Sequence, residues 1–188
     1  TIEKIRYVDD RTHQMIIRVD KHDYVDNKYE HDEEKLKGYD GIIISDYDKG
    51  FLNVKDLKLI LETDTPTFLQ TNKLLDDWCV KADFIKLNEY EYEKTKHLLD
   101  NLYYNNFPGI DSKLIVTLGG KGCRFQNKTY PVFKKVEVRD VSGAGDTFLA
   151  AFTIHYLKNN NPDTSIKFAQ ECSVEVIQKH GVEVVTKK

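Results

Sequence analysis

Asp140-Val141-Ser142-Gly143-Ala144-Gly145-Asp146-Thr147 sets a turn of small residues and a single acid directly before the apolar run Phe148 to Leu157. The pattern reads as a turn that opens a helix. Free N–H groups at a helix start, with the positive end of the helix dipole, form an anion site. Gly143 and Gly145 let the backbone approach a phosphate with no Cβ in the way. Asp146 then stands where it can take a proton from a hydroxyl attacking that phosphate. The chemistry this arrangement suggests is phosphoryl transfer. The same few residues also fit a plain tight turn whose Asp only complements the dipole, so the rest of the chain must decide.

The elements that would position this turn alternate in type. Ile2 to Val8 and Gln14 to Asp20 are β-like runs joined by a polar turn, and they read as a hairpin. Lys21 to Tyr39 is strongly charged and reads as a loop with a short exposed helix. From Gly41 onward short apolar strands alternate with helical segments: strands at Gly41–Ile44, Pro66–Gln70, Phe84–Leu87 and Lys113–Leu118, helices at Val54–Glu62 and Glu89–Leu99. Cys123 to Gln126 extends again, with Asn127-Lys128 as hairpin-turn chemistry, and Val132 to Val138 holds one more extended run. Thr147 to Leu157 is apolar on nearly all sides and should be a buried helix. Thr164 to Lys179 is an amphipathic helix with Asp163 or Thr164 as N-cap and Gly181 as stop. Strands alternating with helices predict an α/β layered fold with a mostly parallel sheet. In such folds ligands lie outside the carboxyl ends of the strands.

Composition bounds the function classes. The 188 residues suffice for one well-buried domain, and 40% hydrophobic with 31% charged residues suits a soluble globular protein. A net charge of −3 supplies no field for nucleic acid or an anionic membrane, so neither is expected as a partner. Phosphate would have to be bound locally. Cys79, Cys123 and Cys172 lie far apart and form neither metal spacing nor a disulfide framework, which fits a cytoplasmic protein with buried thiols. No stretch is apolar and long enough to span a bilayer. The chain opens without Met, directly on a strand-like segment, as a fragment, a processed product or a trimmed chain would.

With the Asp140–Thr147 turn near its C-terminal end, the sequence resembles the ribokinase-like (PfkB) carbohydrate kinases. Asn88-Glu89-Tyr90-Glu91 is similar to that family's Asn-x-x-Glu motif after a strand, which organises magnesium and phosphates. Thr117-Leu118-Gly119-Gly120-Lys121-Gly122 is similar to its strand-end turn beside the nucleotide. Gln178 to Val182, with Gly181, resembles its closing loop near the adenine. The hairpin Lys4–Val8 with Gln14–Asp20, and Ser45-Asp46-Tyr47-Asp48-Lys49-Gly50, look like the heptose-phosphate kinase branch, which phosphorylates the anomeric hydroxyl of a heptose 7-phosphate.

The resemblance implies a ribokinase-like fold and an ATP- and Mg2+-dependent sugar or sugar-phosphate kinase. Asp146 would be the general base and Gly143, Ala144 and Gly145 the anion hole. Lys73, Asn88, Glu91, Thr117, Gly119, Gly122 and Gly181 would attend the nucleotide, with Glu91 reaching magnesium through water. Asp46 and Lys49 would face the sugar together with Asp146. Plainer readings stand beside these: an N-cap and first-turn acid for Asn88 and Glu91, a surface lysine for Lys73, a turn-stabilising Asp46. His180 packs on a base or caps a helix end. Arg6 and Arg18 either meet a sugar phosphate or partner subunit or, as the duller account, pair across strands with Glu3 or Asp20. Residues 1–20 would form a lid and homodimer element through the Met15, Ile17 and Val19 face, and 21–188 the core. Two departures are visible. The family's kinases are longer, so the chain reads as truncated on its N-terminal side. Where the heptose branch has Asp-Pro-Lys, this chain has Thr71-Asn72-Lys73. The rival readings are a kinase for another sugar or nucleoside, and a non-catalytic remnant or half of a split kinase.

Overall fold

The computed structural model describes residues 3–12, 15–104, 109–179, 181 and 183–186. Strands β1 (Glu3–Val8) and β2 (Met15–Lys21) form an antiparallel hairpin with its own two-stranded sheet. A short helix α1 (Glu33–Leu36) follows. The body is a six-stranded sheet in sequential order. Strands β3 (Ile42–Asp46), β4 (Thr67–Thr71), β5 (Phe84–Asn88) and β6 (Leu114–Thr117) run parallel, and β7 (Cys123–Phe125) and β8 (Lys128–Tyr130) complete it antiparallel. Helices α2 (Val54–Leu61), α3 (Glu89–Tyr104), α4 (Ala144–Asn159) and α5 (Pro162–Val176) provide the outer layers.

Strand alternation divides the core in two. Leu69, Ile85, Leu87 and Leu114 point to one face, where Leu57, Ile60 and Leu61 of α2 and Leu99 of α3 cover them. Phe68, Phe84 and Ile115 point to the other, under Phe148, Leu149 and Phe152 of α4 and Ile166 and Ala169 of α5. Every residue of β4 is buried, as a parallel strand covered on both faces requires. The Phe84 ring lies 4.9 Å from Phe152 and 4.6 Å from Tyr156, both edge-to-face, which fastens α4 to β5.

Several expectations need correction. Val132 to Val138 forms no strand: β8 ends at Tyr130, and Pro131 has no N–H with which to continue the ladder. The β7–β8 turn falls on Gln126-Asn127 rather than Asn127-Lys128, with Gln126 at φ 53°. Helix α5 starts earlier than its apolar periodicity suggests, because Asn161, not Asp163 or Thr164, caps it and Pro162 fills the first turn. Helix α4 is not buried all round, since Ile154 is 54% exposed. Among the described residues no helix is long and apolar enough to cross a membrane.

Candidate active site

Alternation along the strands sends Ser45, Gln70 and Lys86 to the face covered by α4, and the register makes them neighbours: Ser45 opposite Gln70, Gln70 opposite Lys86. They form a polar row near the carboxyl ends of three parallel strands. Helix α4 begins above this row. Gly143 is its N-cap at φ 78°, a left-handed conformation that favours glycine, and no side chain caps the helix there. The first-turn amides of a helix have no intrahelical acceptor. They open on a cavity of about 500 Å³ whose lining includes Ala144, Gly145, Thr117, Gly119 and Gly122.

Asp146, in the first turn of α4, is half-buried and gathers three donors. The Tyr47 hydroxyl donates to Oδ2 at 2.6 Å, and Gln70 Nε2 and Ser45 Oγ donate to Oδ1 at 3.1 and 3.2 Å. Burial first, and then the bond to Asp146, push the Tyr47 phenol up to about 12. Gln70 Oε1 in turn accepts from Lys86 Nζ at 2.9 Å. Lys86 is 4% exposed, and its burial pushes the ammonium down while Glu91 and Asp146 oppose that shift. The missing Cβ of Gly145 has a cause inside the protein: built there, it would lie 2.8 Å from Lys86 Nζ.

The other site residues divide by location. Asn88 and Glu91 form a reciprocal cap at the start of α3: Glu91 Oε2 accepts from the Asn88 amide at 2.7 Å and Asn88 Oδ1 from the Glu91 amide at 2.8 Å. Thr117 ends β6, its hydroxyl donating to the Leu87 carbonyl at 3.2 Å. Gly122 takes φ 102°, and a Cβ there would meet the Tyr130 carbonyl oxygen at 2.0 Å. Gly181 is also left-handed, at φ 77°. The Ser142 amide first, and later the Gly181 amide and the Arg6 charge, hold Asp140 below the usual carboxylate range. His180 and Val182 lie outside the described residues.

Asp46 points to the opposite face of the sheet from Asp146. Its Oδ2 accepts from Thr71 Oγ1 at 2.9 Å and meets Lys73 Nζ at 3.0 Å, and its Oδ1 accepts from the Asp48 amide at 3.0 Å. Lys73 also pairs with Asp48. Burial opposes the Lys73 charge, but the two carboxylates outweigh it and raise the ammonium above its ordinary value. Thr71 thus stands where a second acid would confront Asp46. Lys49 pairs with Asp23, within a segment that straps the Tyr47 loop. Val25 N donates to the Lys49 carbonyl at 2.6 Å, Tyr29 N to that of Phe51 at 3.1 Å, and the Tyr24 ring lies over Gly50. In the hairpin Arg18 pairs with Asp20 of its own strand at 2.8 Å, not across strands, and Arg6 lies opposite Arg18. Lys4 Nζ sits 5.1 Å from the Tyr47 ring centroid.

Ser45, Tyr47, Gln70 and Lys86 were not among the sequence candidates. A signal existed for Lys86, since a lysine inside the apolar run Phe84–Leu87 is out of place unless it has a partner.

Residues 54–188 match the pfkB family of carbohydrate kinases. The chain belongs to that family. Among curated proteins, the bifunctional protein HldE of Helicobacter acinonychis (strain Sheeba) is 30% identical over 200 residues, covering 89% of this chain and 41% of the relative. The chain thus spans less than half the length of the curated relatives it matches. Two solved structures share the ribokinase-like fold. The ribokinase of Thermotoga maritima superposes with a TM-score of 0.67 at 19% identity, over 96% of this chain and 64% of that one. The Arabidopsis thaliana ribokinase complexed with ribose and ATP gives 0.68 at 16% identity, over 90% and 61%. This pfkB chain therefore carries the layered sheet of those kinases together with its hairpin.

Proposed function

We propose that this chain is the catalytic part of an ATP-dependent kinase that phosphorylates a hydroxyl of a sugar phosphate, with a heptose 7-phosphate as acceptor. The observation that carries the reading is Asp146 in the first turn of α4, directly after the cavity-lining Gly145 and hydrogen-bonded to Ser45 and Gln70 near the strand ends. The choice of heptose follows the Ser45–Gly50 segment and the hairpin, and the family membership supports the reaction class.

ATP would supply the phosphoryl group, and magnesium, when bound, would neutralise charge on its phosphates. The cavity fits a nucleotide: glycines and the amide end of α4 at one side, Val132, Val138, Phe148 and Ile177 as apolar wall. Among the described residues no three His, Cys, Asp or Glu side chains gather around a metal. The cation would keep waters and phosphate oxygens as ligands, with Glu91 as the nearby acid. Asp146 accepts the proton of the attacking hydroxyl, held by Gln70 and Ser45 on Oδ1. The amides of the Gly143–Gly145 turn stabilise charge developing on the transferred group. Lys73 and Asp46, tied to each other, hold the β3 and β4 ends in place for Tyr47, and Lys49 does so through Asp23.

The β1–β2 hairpin would serve as lid and pairing surface. Met15, Ile17 and Tyr7 are 57%, 53% and 54% exposed there, an apolar face suited to a second copy. The deciding experiment is coupled ADP release with heptose 7-phosphate, ribose and a nucleoside as acceptors. Turnover of ribose or the nucleoside without the heptose phosphate overturns the acceptor assignment. Absence of nucleotide binding by calorimetry overturns the kinase reading.

A further inference from the structure

The reaction outlined above leaves Lys86 unused. Lysine is rarely buried without a partner, and Lys86 sits deep in β5 with its ammonium on the Gln70 carbonyl oxygen. An ammonium only donates. It therefore selects which end of the Gln70 amide faces β5, and that end is the oxygen. The NH2 end is left for Asp146 Oδ1, where it is found at 3.1 Å. With a side chain at 86 that cannot donate, nothing at β5 would prefer this orientation. The carboxylate would still favour the NH2 end, but the amide would be anchored at Asp146 alone and lose the β5 contact that fixes its position. Helix α4 leaves room for the lysine through Gly145.

We propose that Lys86 is a positioning residue for Asp146: its ammonium orients the Gln70 amide, and the amide fixes the carboxylate. The proposal rests on the reading of Asp146 as the base. It goes beyond that reading in making the base depend on a buried cation that touches neither substrate nor proton.

The test is a double-mutant cycle on the full-length polypeptide. Lys86→Met and Gln70→Leu should each lower kcat about 100-fold, with KM for nucleotide and acceptor moving less than about threefold. The double variant should lose no more than either single one, because both break the same link. Losses that multiply would show Lys86 acting apart from Gln70 and would overturn the proposal. A second readout does not need turnover. In a structure of Lys86→Met at atomic resolution, Gln70 should move off Asp146; an unchanged Nε2–Oδ1 bond overturns the proposal. If Lys86→Met does not fold, Gln70→Leu carries the test alone, and unchanged kcat there refutes it. Asp146→Asn separates the two levels. Full activity in that variant removes the base reading and this proposal together. An inactive Asp146→Asn beside a fully active Lys86→Met removes the proposal alone.

Discussion

Tyr47 and Asp146 are joined by a 2.6 Å hydrogen bond in which the phenol donates to Oδ2. With its phenol pushed up to about 12, Tyr47 stays a donor throughout the neutral range. Gln70 and Ser45 already occupy Oδ1. An acceptor hydroxyl that gives its proton to Asp146 must therefore take or share the oxygen that Tyr47 holds. Tyr47→Phe is expected to lower KM for the acceptor about tenfold, the worth of a hydrogen bond to a charged group, with kcat within about threefold. Steady-state kinetics checks it, and a large fall in kcat would instead make Tyr47 part of the positioning of Asp146.

Asp146→Asn keeps the size of the side chain and removes the base. Turnover is expected to fall by about three orders of magnitude or more, with nucleotide affinity by calorimetry nearly unchanged. Retained turnover would take the base role from Asp146.

Glu91 caps α3 reciprocally with Asn88 and is the acid proposed above to reach magnesium through water. Gln serves in a reciprocal cap as well as Glu does. Glu91→Gln should therefore leave thermal stability nearly unchanged and raise the magnesium concentration needed for half-maximal rate. Glu91→Ala should in addition lose about 1 kcal/mol of stability. An unaltered magnesium dependence in both variants would confine Glu91 to the cap.

Lys73 is the counter-ion of buried Asp46. Lys73→Met leaves that carboxylate unpaired and should cost on the order of 3 kcal/mol in denaturant unfolding. The pH dependence follows from the raised ammonium. Its contribution is fully present below the unfolded value of 10.5 and is lost as pH rises through the higher folded value. Wild-type stability should thus decline above about pH 10.5 more steeply than that of Lys73→Met. Parallel curves would exclude Lys73 from this linkage.

The exposed hairpin face is testable on its own. Ile17→Asp should shift a dimer to monomer in sedimentation velocity, because a charge placed in an apolar contact is desolvated without a partner. A wild-type chain that sediments as a monomer at high concentration would remove the pairing role.

Much of the layering was legible because each parallel strand is a short apolar run between polar turns. β3, β4, β5 and β6 lie within a residue or two of where Gly41–Ile44, Pro66–Gln70, Phe84–Leu87 and Lys113–Leu118 put them. Local patterning misled at Val132 to Val138. The valines read as a strand, but after Pro131 they line the cavity rather than extend the ladder. The site was legible where it is contiguous, as in the Gly143–Asp146 turn. It was not legible where it depends on register. Ser45, Gln70 and Lys86 come from three strands and become neighbours only through the parallel pairing, which no single stretch of sequence states. Asp46 and Lys49 stood out as charged residues of one motif. Alternation instead turns Asp46 away and hands Asp146 to the less conspicuous Ser45 and Tyr47.

Gly145 belongs to a glycine-rich turn, yet its side of the chain is constrained from β5. The space a methyl group would fill is taken by the tip of Lys86. The two positions therefore amount to a single choice made twice. A larger residue at 145 would push the tip of Lys86 aside, so a side chain gained on α4 is traded against the placement of a cation on β5.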